Sequence, residues 1–458
     1  MPPRPSQPPA RPRAHPRARH GLLRALLALP VLVSVAACDT WFGASEEPPL
    51  PGERLPVLVD SRTVQADPEL KGRPVALPPP TPNDSWPQQG GYANHAMHHI
   101  AVAENLSRAW DADIGAASDA HERFISTPIV AGGRVFAIDA ESKVTAFDVE
   151  KGERIWDTEL TPDEEDDGHI SGGLAFDQGR IFATTGFAEV IALSADKGEI
   201  MWRRPVEAPM RAAPTARGGR VFAITVDNKL YALDGEKGDV LWTHAGVSEI
   251  ASLLGGASPA VDSGIVVAPY STGEIAALRV DDGRVLWTDS LSSLRRTALA
   301  SSVTAIRGRP IIDRGRVYTI SHGGLMIASD LRTGRRIWEK EIGSYASPWI
   351  AGEYLFALTN DAEVLCLDRN TGRVYWVTPL PRFEDEEDKK DPIVWSGPIL
   401  VSDRLIVAGS QGEALAVSPY TGEILGKVEM PDSVTVAPVV ASGTVFFLSD
   451  DAELTAYR

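Results

Sequence analysis

Residues 220–243 read RVFAITVDNKLYALDGEKGDVLWT and contain a pattern that returns along most of the chain. They indicate three short strands, at 220–225, 229–233 and 240–243, and a fourth strand is predicted just after Ala213-Pro214. The connections at 226–228 and 234–238 contain Asp and Gly, which suit tight turns because Asp caps the local backbone and Gly adopts a positive φ without steric cost. The strands are apolar on both faces, as expected of a sheet covered on either side. We therefore interpret the stretch as one four-stranded unit of an all-β structure.

A fixed spacing of Ala, Gly and Trp marks this unit and its copies. Ala232 lies six positions before Gly238 and ten before Trp242. The same spacing recurs at Ala146, Gly152, Trp156; Ala192, Gly198, Trp202; Ala277, Gly283, Trp287; Ala328, Gly334, Trp338; and Cys366, Gly372, Trp376. With Trp110, which stands 46 residues before Trp156, seven of the eleven tryptophans occupy this tryptophan column. We predict that each of them packs into the room left by the small residue.

The two ends of the repeat are incomplete in complementary ways. The seventh set has Gly426 where Trp is expected, and the last copy reaches Ala456 without a following Gly–Trp strand. Conversely, residues 107–114 (SRAWDADI) contain Trp110 but no preceding strands. Pairing the two ends would close a ring and leave no open sheet edge, which would otherwise invite aggregation.

The length of the repeat indicates the architecture. Four-stranded units that recur every 40 to 50 residues are typical of a β-propeller. Trp110 to Arg458 spans 349 residues, or eight units of about 44. The sequence therefore predicts an eight-bladed β-propeller of four-stranded antiparallel blades. Seven blades is the alternative, because the seventh set lacks its Trp.

The N-terminus has the features of an export signal. The first 37 residues contain six Arg and no acidic residue, and they end in an apolar run, 25–37, that is too short to span a bilayer as a stable helix. Val35-Ala36-Ala37-Cys38 resembles the lipobox of bacterial lipoproteins, which implies cleavage before Cys38 and acylation of that residue. We predict a signal peptide at 1–37, a lipidated Cys and Pro-rich flexible tether at 38–85, and the propeller at 86–458.

Charge and cysteine content exclude some classes of function and of stabilisation. Of the 45 Lys and Arg, six lie in the first 37 residues, so the remainder carries 39 basic against 62 acidic groups, a net charge of −23. Such a body is repelled by phosphate backbones, and we predict no nucleic-acid partner. With Cys38 acylated, only Cys366 remains and no intramolecular disulfide can form.

Residues 328–338, ASDLRTGRRIW, resemble the tryptophan-docking motif AxDxxTGxxxW of quinoprotein dehydrogenases. Those enzymes hold pyrroloquinoline quinone over a propeller, against a ring made by two adjacent disulfide-bonded cysteines. This chain contains no Cys-Cys pair. We therefore interpret the motif as blade structure and predict neither a cofactor nor catalytic residues.

Several other polar residues could be taken for catalytic groups or metal ligands, and for each of them a structural role is an alternative. Acids at one position of different blades cannot converge on one substrate, so we interpret them as turn caps: Asp148, Asp234, Asp330 and Asp368. Cys366 replaces Ala in its column and is predicted to be a buried, inert thiol. His95, His98 and His99 would need further ligands to hold a metal, and we predict a structural or surface role and no metal site. The acidic runs at 163–167 and 384–388 are interpreted as solvated loops.

Taken together, the lipobox, the proline-rich tether and the eightfold repeat resemble the BamB family, propeller lipoproteins of the outer-membrane β-barrel assembly machine. The α-proteobacterial branch is indicated by PGER at 51–54, WPQQGG at 86–91, SHGG at 321–324 and PWIAG at 348–352. The resemblance implies a non-catalytic scaffold that is lipid-anchored at Cys38 on the periplasmic face of the outer membrane. It would bind the POTRA domains of BamA within the BAM complex, and unfolded outer-membrane proteins are a further candidate partner. Asp39 leaves retention in the inner membrane open.

The same resemblance implies a docking site, which the loops indicate independently. In the family the contact uses a Leu–x–Leu–Arg segment and, one blade later, an acidic pair. Here the segment corresponds to 251–254, where Leu253 is kept, and the pair falls at Ala305 and Arg307 and is absent. Residues 247–254 are an apolar loop, and 290–309 is the longest insertion between blades, with arginines at Arg295, Arg296, Arg307 and Arg309. We predict that these loops form the docking surface, with Leu253 and Leu254 as anchors and the arginines steering an acidic partner.

Two other functions remain as alternatives at this point. One is a propeller that binds carbohydrate or peptide in the periplasm, and the other is a quinoprotein-type dehydrogenase. Surface aromatics lining the channel would favour a sugar-binding protein, and a pair of adjacent cysteines would have favoured the enzyme.

Overall fold

The computed structural model describes residues 64–118, 125–163, 170–248, 254–291 and 305–458. These ranges form eight four-stranded antiparallel sheets and one two-stranded hairpin, together with a single short 3₁₀ helix, η1 (Pro68–Leu70). The eight-bladed β-propeller is confirmed, and the seven-bladed alternative is wrong. Within the described ranges no helix has the length and apolar character needed to cross a membrane.

The strands follow the chain in order. The first is β1 (Arg108–Asp113). Blades 1 to 3 contain β2 (Ile129–Ala131), β3 (Arg134–Ile138), β4 (Lys143–Asp148), β5 (Arg154–Glu159); β6 (Gly173–Asp177), β7 (Arg180–Thr184), β8 (Glu189–Ser194), β9 (Ile200–Pro205); and β10 (Thr215–Arg217), β11 (Arg220–Ile224), β12 (Lys229–Asp234), β13 (Val240–Ala245). Blades 4 to 6 contain β14 (Ala260–Asp262), β15 (Ile265–Pro269), β16 (Glu274–Arg279), β17 (Val285–Ser290); β18 (Ile311–Asp313), β19 (Arg316–Ile320), β20 (Met326–Asp330), β21 (Arg336–Lys340); and β22 (Trp349–Ala351), β23 (Tyr354–Leu358), β24 (Glu363–Asp368), β25 (Val374–Pro379).

The remaining strands complete the ring. The hairpin consists of β26 (Phe383–Asp385) and β27 (Lys390–Pro392). Blade 7 consists of β28 (Trp395–Val401), β29 (Arg404–Gly409), β30 (Glu413–Val417) and β31 (Ile424–Glu429). Blade 8 consists of β32 (Val439–Ala441), β33 (Thr444–Leu448) and β34 (Glu453–Tyr457) together with β1. In each blade the first strand is innermost and the fourth is outermost. The second and third strands are almost entirely buried, whereas the fourth strands are more exposed. The core therefore lies between neighbouring blades.

The small residue of the third strand allows two aromatic rings to meet across it. In blade 3, Phe222 pairs with Ala232 and Ala232 pairs with Trp242, so the three side chains lie in one row of the sheet. The Phe222 and Trp242 ring centroids are 5.9 Å apart. A larger residue in the middle of the row would separate the rings and lose this contact. The predicted role of the small position is confirmed.

The glycine of each set lies under the tryptophan of the preceding blade. A Cβ on Gly334 would come within 2.6 Å of the Trp287 ring, and the residue has φ +71°, which only glycine adopts freely. Trp287 also donates its Nε1 hydrogen to the Leu331 carbonyl of that next blade at 2.8 Å. The other six members of the tryptophan column donate to the next blade in the same way, at 2.9–3.3 Å: Trp110, Trp156, Trp202, Trp242, Trp338 and Trp376. Spacing in the sequence thus reflects docking between blades.

Blade 8 closes the ring with a strand from each end of the propeller. β1 pairs antiparallel with β34, and Trp110 lies opposite Ala456, as Trp242 lies opposite Ala232 in blade 3. The Trp110 indole then donates to the Val149 carbonyl of blade 1 at 3.3 Å. The predicted pairing of the two incomplete ends is confirmed.

Residues 64–85 differ from the prediction that they belong to a flexible tether. Asp67 accepts a hydrogen bond from the Arg373 side chain at 2.7 Å, and the Ala76 amide donates to the Tyr354 hydroxyl at 3.0 Å. The compact unit extends over Thr63–Arg458, so a folded boundary at 86 was too late. Proline-rich composition misled the prediction, because an extended chain can satisfy its polar groups on a preformed sheet. The rest of the predicted tether, 38–63, and the signal peptide lie outside the described residues.

Residues 83–102, the channel segment, run around the inside of the ring and touch the innermost strand of every blade. The contacts are Asn83 with Val440 (blade 8), Trp86 with Val130 (blade 1), Pro87 with Phe176 (blade 2), Gln88 with Ala216 (blade 3), Ala93 with Val261 (blade 4), Asn94 with Ile312 (blade 5), His98 with Trp349 (blade 6) and Ile100 with Leu400 (blade 7). All of them are hydrogen bonds that involve main-chain atoms. The channel segment therefore ties all eight blades together.

Candidate functional site

The predicted docking loops leave the propeller where the innermost strands begin. One connects β13 to β14 and the other connects β17 to β18. Of the residues predicted to act there, Leu253, Arg295 and Arg296 lie outside the described residues, as does the lipidation site Cys38. Leu254 and Arg307 are described, and both are partly exposed.

Arg307 lies on the inner side of its loop, at the axis of the ring. A side chain at Gly255 would approach its Nη2 to 3.0 Å, so the guanidinium lies against the neighbouring loop. Burial lowers the pKa of Arg307. Arg307 and Arg309 both line a cavity at the axis. From the sequence we predict instead that they lie on the surface and steer a partner. The difference arises because the chain turns inward after Ala305 to enter the innermost strand β18.

The other predicted docking loop, 247–254, has an exposed apolar residue at its start. Val247, the last residue but one before the undescribed stretch at 249–253, is 64% exposed. Its carbonyl accepts a hydrogen bond from the Asn228 side chain at 2.7 Å, which fixes the position of the main chain. Val247 and Leu254 thus mark the two described ends of the apolar loop. Sequence reasoning included Val247 in that loop but did not single it out as an anchor.

The three histidines bind the channel segment to its surroundings. His95 Nδ1 is 2.7 Å from the Pro310 carbonyl, and burial lowers the pKa of His95 to about 3, so the ring is neutral and donates this hydrogen bond. His98 Nε2 lies 3.5 Å from Asp313. Their partners differ, and the described residues include no group of three or more His, Cys, Asp or Glu side chains placed to hold a metal.

His99 makes two hydrogen bonds of the same structural kind. Its Nδ1 lies 2.7 Å from the Pro78 carbonyl, and its Nε2 accepts from the Asp403 amide at 3.0 Å. The ring is therefore held between the N-terminal segment and blade 7. The structural role predicted for these histidines agrees with these contacts.

The repeated acids cap the turns between third and fourth strands. Asp148 accepts hydrogen bonds from the amides of Glu150 and Lys151, both at 2.9 Å. The same two contacts recur at the other three positions: Asp234, Asp330 and Asp368. The prediction that these acids are turn caps is confirmed. Cys366 is fully buried opposite Trp376, and burial raises the pKa of its thiol well above the ordinary value, as expected of an inert residue.

Comparisons with known proteins agree on one family. The family model described as outer membrane protein assembly factor BamB matches residues 101–171 and 141–378, which together span more than half of the chain. The BamB of Alkalilimnicola ehrlichii is 35% identical over 350 residues, covering 76% of this chain and 87% of that protein.

Two solved structures share the fold. The crystal structure of BamB from Moraxella catarrhalis matches with a TM-score of 0.61 at 19% identity, covering 77% of this chain and 98% of that one. A europium-containing methanol dehydrogenase matches with a TM-score of 0.67 at 14% identity, covering 82% and 98%. At these identities the likeness concerns the propeller and carries no statement about activity. With the match to the family model and the identity to the A. ehrlichii protein, the chain belongs to the BamB family.

Proposed function

We propose that this protein is a non-catalytic scaffold subunit of the outer-membrane β-barrel assembly machinery. The observation that carries the proposal is its membership of a family whose relatives are named outer membrane protein assembly factors. In this role it binds the POTRA region of BamA within the BAM complex and assists insertion of β-barrel proteins, with unfolded outer-membrane proteins as further partners.

The structural contacts of the acidic side chains and of the Cys366 thiol support a non-catalytic role. The four repeated acids hold turns in separate blades, and the thiol of Cys366 is buried under Trp376. General acid–base or nucleophilic catalysis needs such groups within hydrogen-bonding reach of one substrate. Groups that are distributed around a ring and bound to their own backbone do not meet this requirement.

We place the docking surface on the loops 247–254 and 290–309, with Leu253 and Leu254 as apolar anchors. The support in the described residues is the exposure of Val247 and the half-buried position of Leu254 at the ends of one loop. Arg295 and Arg296 supply positive charge on an otherwise acidic body, which favours encounter with an acidic partner. Arg307 belongs to the inner margin of this surface, since it lines the axial cavity.

The anchor places the propeller at a membrane. An acylated Cys38 attaches the chain to the bilayer, because each buried methylene of an acyl chain contributes about 0.8 kcal/mol. We place it on the periplasmic face of the outer membrane. Separating the two membranes of the source cells and blotting for the protein tests this placement: recovery in the inner membrane would contradict it and would agree with retention through Asp39, whereas Cys38→Ser should release the protein from both.

Co-purification with BamA tests the docking surface. The double variant Leu253→Asp with Arg296→Glu should lose BamA, because it places a charge on an apolar anchor and reverses a steering charge. A matched control is Leu425→Asp with Arg284→Glu, which makes the same two changes at exposed positions of outer strands and turns. Retention of BamA by the first variant would contradict the placement. Loss of BamA by both would mean that added negative charge, and not this surface, controls binding.

A further inference from the structure

A cavity of about 130 Å³ lies on the axis, on the same face as the docking loops. The channel segment forms its floor with Trp86, Gln89, Gly90 and His95, and the walls come from residues that precede or begin the innermost strands. One water needs roughly 10–15 Å³ of such space, so the cavity has room for several waters. A small group can enter, whereas a folded domain cannot.

The charge of the cavity is opposite to that of the protein. Arg211, Arg307 and Arg309 line it, and the described residues of the lining include no Asp or Glu. The chain as a whole carries 62 acidic against 45 basic side chains. Buried Arg369, by contrast, is paired with Asp313 at 2.5 Å. The lining of the axial cavity is therefore locally basic.

Arg309 is partly buried at the cavity, where contacts of its main chain and side chain fix its position. Its amide donates to the Ser347 hydroxyl at 2.9 Å, and a Cβ on Gly90 would lie only 2.7 Å from its Nε. Burial lowers the pKa of Arg309 to about 10, which leaves the guanidinium charged at neutral pH. Glycine at position 90 thus makes the room that the guanidinium occupies.

Polar atoms without protein partners gather in this cavity. Four buried side-chain atoms of the lining make no hydrogen bond with the described protein atoms: the donors Trp86 Nε1, Thr127 Oγ1 and Arg309 Nε, and the acceptor His95 Nε2. Trp86 is 3% exposed and Thr127 is 5% exposed. A buried donor without an acceptor costs about 1–3 kcal/mol, and more when it is charged. Such atoms are rare in proteins, so four in one lining show that the polar groups around the axis are incompletely paired by the described protein atoms.

The neighbouring rings give the cavity an apolar side. Trp86 and Trp349 stack with centroids 6.1 Å apart, and Ile311 and Ile399 complete that part of the lining. A planar carboxylate matches the guanidinium fork in a bidentate manner, and the carbon atoms attached to it would contact these side chains.

We propose that the axial cavity binds a carboxylate group, with Arg309 and Arg307 as the charged ligands. Two sources share this chemistry: a free organic acid, and the C-terminal carboxylate of an extended polypeptide. Apart from Arg307, the residues that line this site differ from those that we assign to the contact with BamA.

The test is a calorimetric titration of the purified full chain in low-chloride buffer, because salt screens the charges. The probes are acetate, succinate, inorganic phosphate, and one tripeptide with a free or an amidated C-terminus. Saturable binding of a free carboxylate with Kd below about 5 mM is expected. Stronger binding of the free-acid tripeptide than of succinate assigns the site to a chain end, and the reverse assigns it to a small acid. No saturable carboxylate binding, or binding of phosphate alone, would overturn the proposal.

Variants assign the binding to this cavity. Arg309→Gln should weaken carboxylate binding about ten- to a hundredfold, as expected for loss of a charge-assisted hydrogen bond. Arg284→Gln, an exposed arginine at an outer turn, is the matched control and should leave it unchanged. If Arg309→Gln fails to fold, Arg307→Gln decides, since it removes the other charged ligand and leaves a polar side chain in its place; unchanged affinity in this variant would overturn the proposal.

Thermal unfolding separates a binding role from a structural one. In carboxylate-free buffer Arg309→Met should melt no lower than the unsubstituted chain, because it removes a partly buried charge that has no carboxylate partner among the described residues of the lining. The same variant should lose the stabilisation that the carboxylate gives. A variant that melts lower and is still stabilised by the carboxylate would show that Arg309 is a structural residue.

Discussion

The junction of blades 6 and 7 and the junction of blades 7 and 8 differ in what the outermost strand contributes. At the first, Trp376 covers Gly422 and donates to the Pro419 carbonyl at 3.2 Å. At the second, Gly426 holds the equivalent position, and nothing lies within 4 Å of where its Cβ would be. Every residue of β31 is exposed. The third strand of blade 8 has no turn into a fourth strand, because β1 comes from elsewhere in the chain, and so there is no glycine for a tryptophan to cover.

This difference shows that each tryptophan of the column serves a contact between two neighbouring blades. Trp in one blade and Gly in the next are required together, and both are missing at the junction of blades 7 and 8. That junction is covered by other contacts, such as Ser396 Oγ with the Val436 carbonyl at 3.1 Å. We therefore expect substitutions at the two kinds of junction to have very different effects.

The largest effect is expected for Trp338→Ala at the junction of blades 5 and 6. The ring is buried and its Nε1 donates to the Arg369 carbonyl at 2.9 Å, so the free energy of unfolding should fall by about 3–5 kcal/mol. Leu425→Ala in β31, where the side chain is 58% exposed, should change it by less than about 0.5 kcal/mol. Urea unfolding followed by circular dichroism measures both. Equal losses would remove the distinction between the junctions.

Gly334→Ala should have the next largest effect. The residue has φ +71°, and its new Cβ would come within 2.6 Å of the Trp287 ring, so strain and displacement of the ring should lower the free energy of unfolding by about 2–3 kcal/mol. The same urea titration checks it. A loss below 1 kcal/mol would mean that the contact between glycine and tryptophan is loose.

A smaller effect on the free energy of unfolding is expected at Asp313, the last residue of the innermost strand β18. Burial raises the pKa of Asp313, but hydrogen bonds from His98 and Arg369 more than offset this and hold it at about 2, below the ordinary 3.8. A depressed carboxyl pKa stabilises the fold above pH 4, and this contribution, about 2 kcal/mol, is lost as the pH falls toward 2. Asp313→Asn should abolish that part of the pH dependence. Stability curves of the two proteins that run parallel from pH 5 to 2 would contradict this.

The smallest effect is expected for Gly426→Ala, and it has the opposite sign. The position has an ordinary strand φ and open space around it, so alanine should stabilise the fold by roughly 0.5–1 kcal/mol through its lower entropy in the unfolded chain. Thermal unfolding of this variant beside Gly334→Ala gives the comparison directly. A destabilised Gly426→Ala would show that β31 needs glycine for a reason other than the missing tryptophan.

The parts of the fold that repeat could be predicted from the sequence. Ala232, Gly238 and Trp242 recur because each blade must solve the same packing problem against its neighbour, and a physical requirement that repeats leaves a periodic trace. Closure of the ring by Trp110 opposite Ala456 followed from the same columns.

The parts that occur once could not be predicted in this way. The channel segment is not periodic, and its hydrogen bonds join residues far apart in the sequence, such as Gln88 to Ala216 and Asn83 to Val440. Arg307 and Arg309 read as surface charges because a sequence gives no sign that a loop turns toward the axis. Gly90 belongs to the motif WPQQGG at 86–91, and this motif alone does not show that the glycine makes room for Arg309.

The repeat builds the scaffold, and we propose that a loop outside the repeat makes the contact with BamA. The affinity of the purified chain for the POTRA region of BamA tests it with two exposed apolar residues, Val247 in the loop and Leu425 in β31, each changed to Asp. We expect Val247→Asp to weaken binding at least about tenfold, the effect of losing 1.4 kcal/mol, and Leu425→Asp to leave it unchanged, with neither variant less stable. Full affinity in Val247→Asp, or a loss confined to Leu425→Asp, would contradict the account.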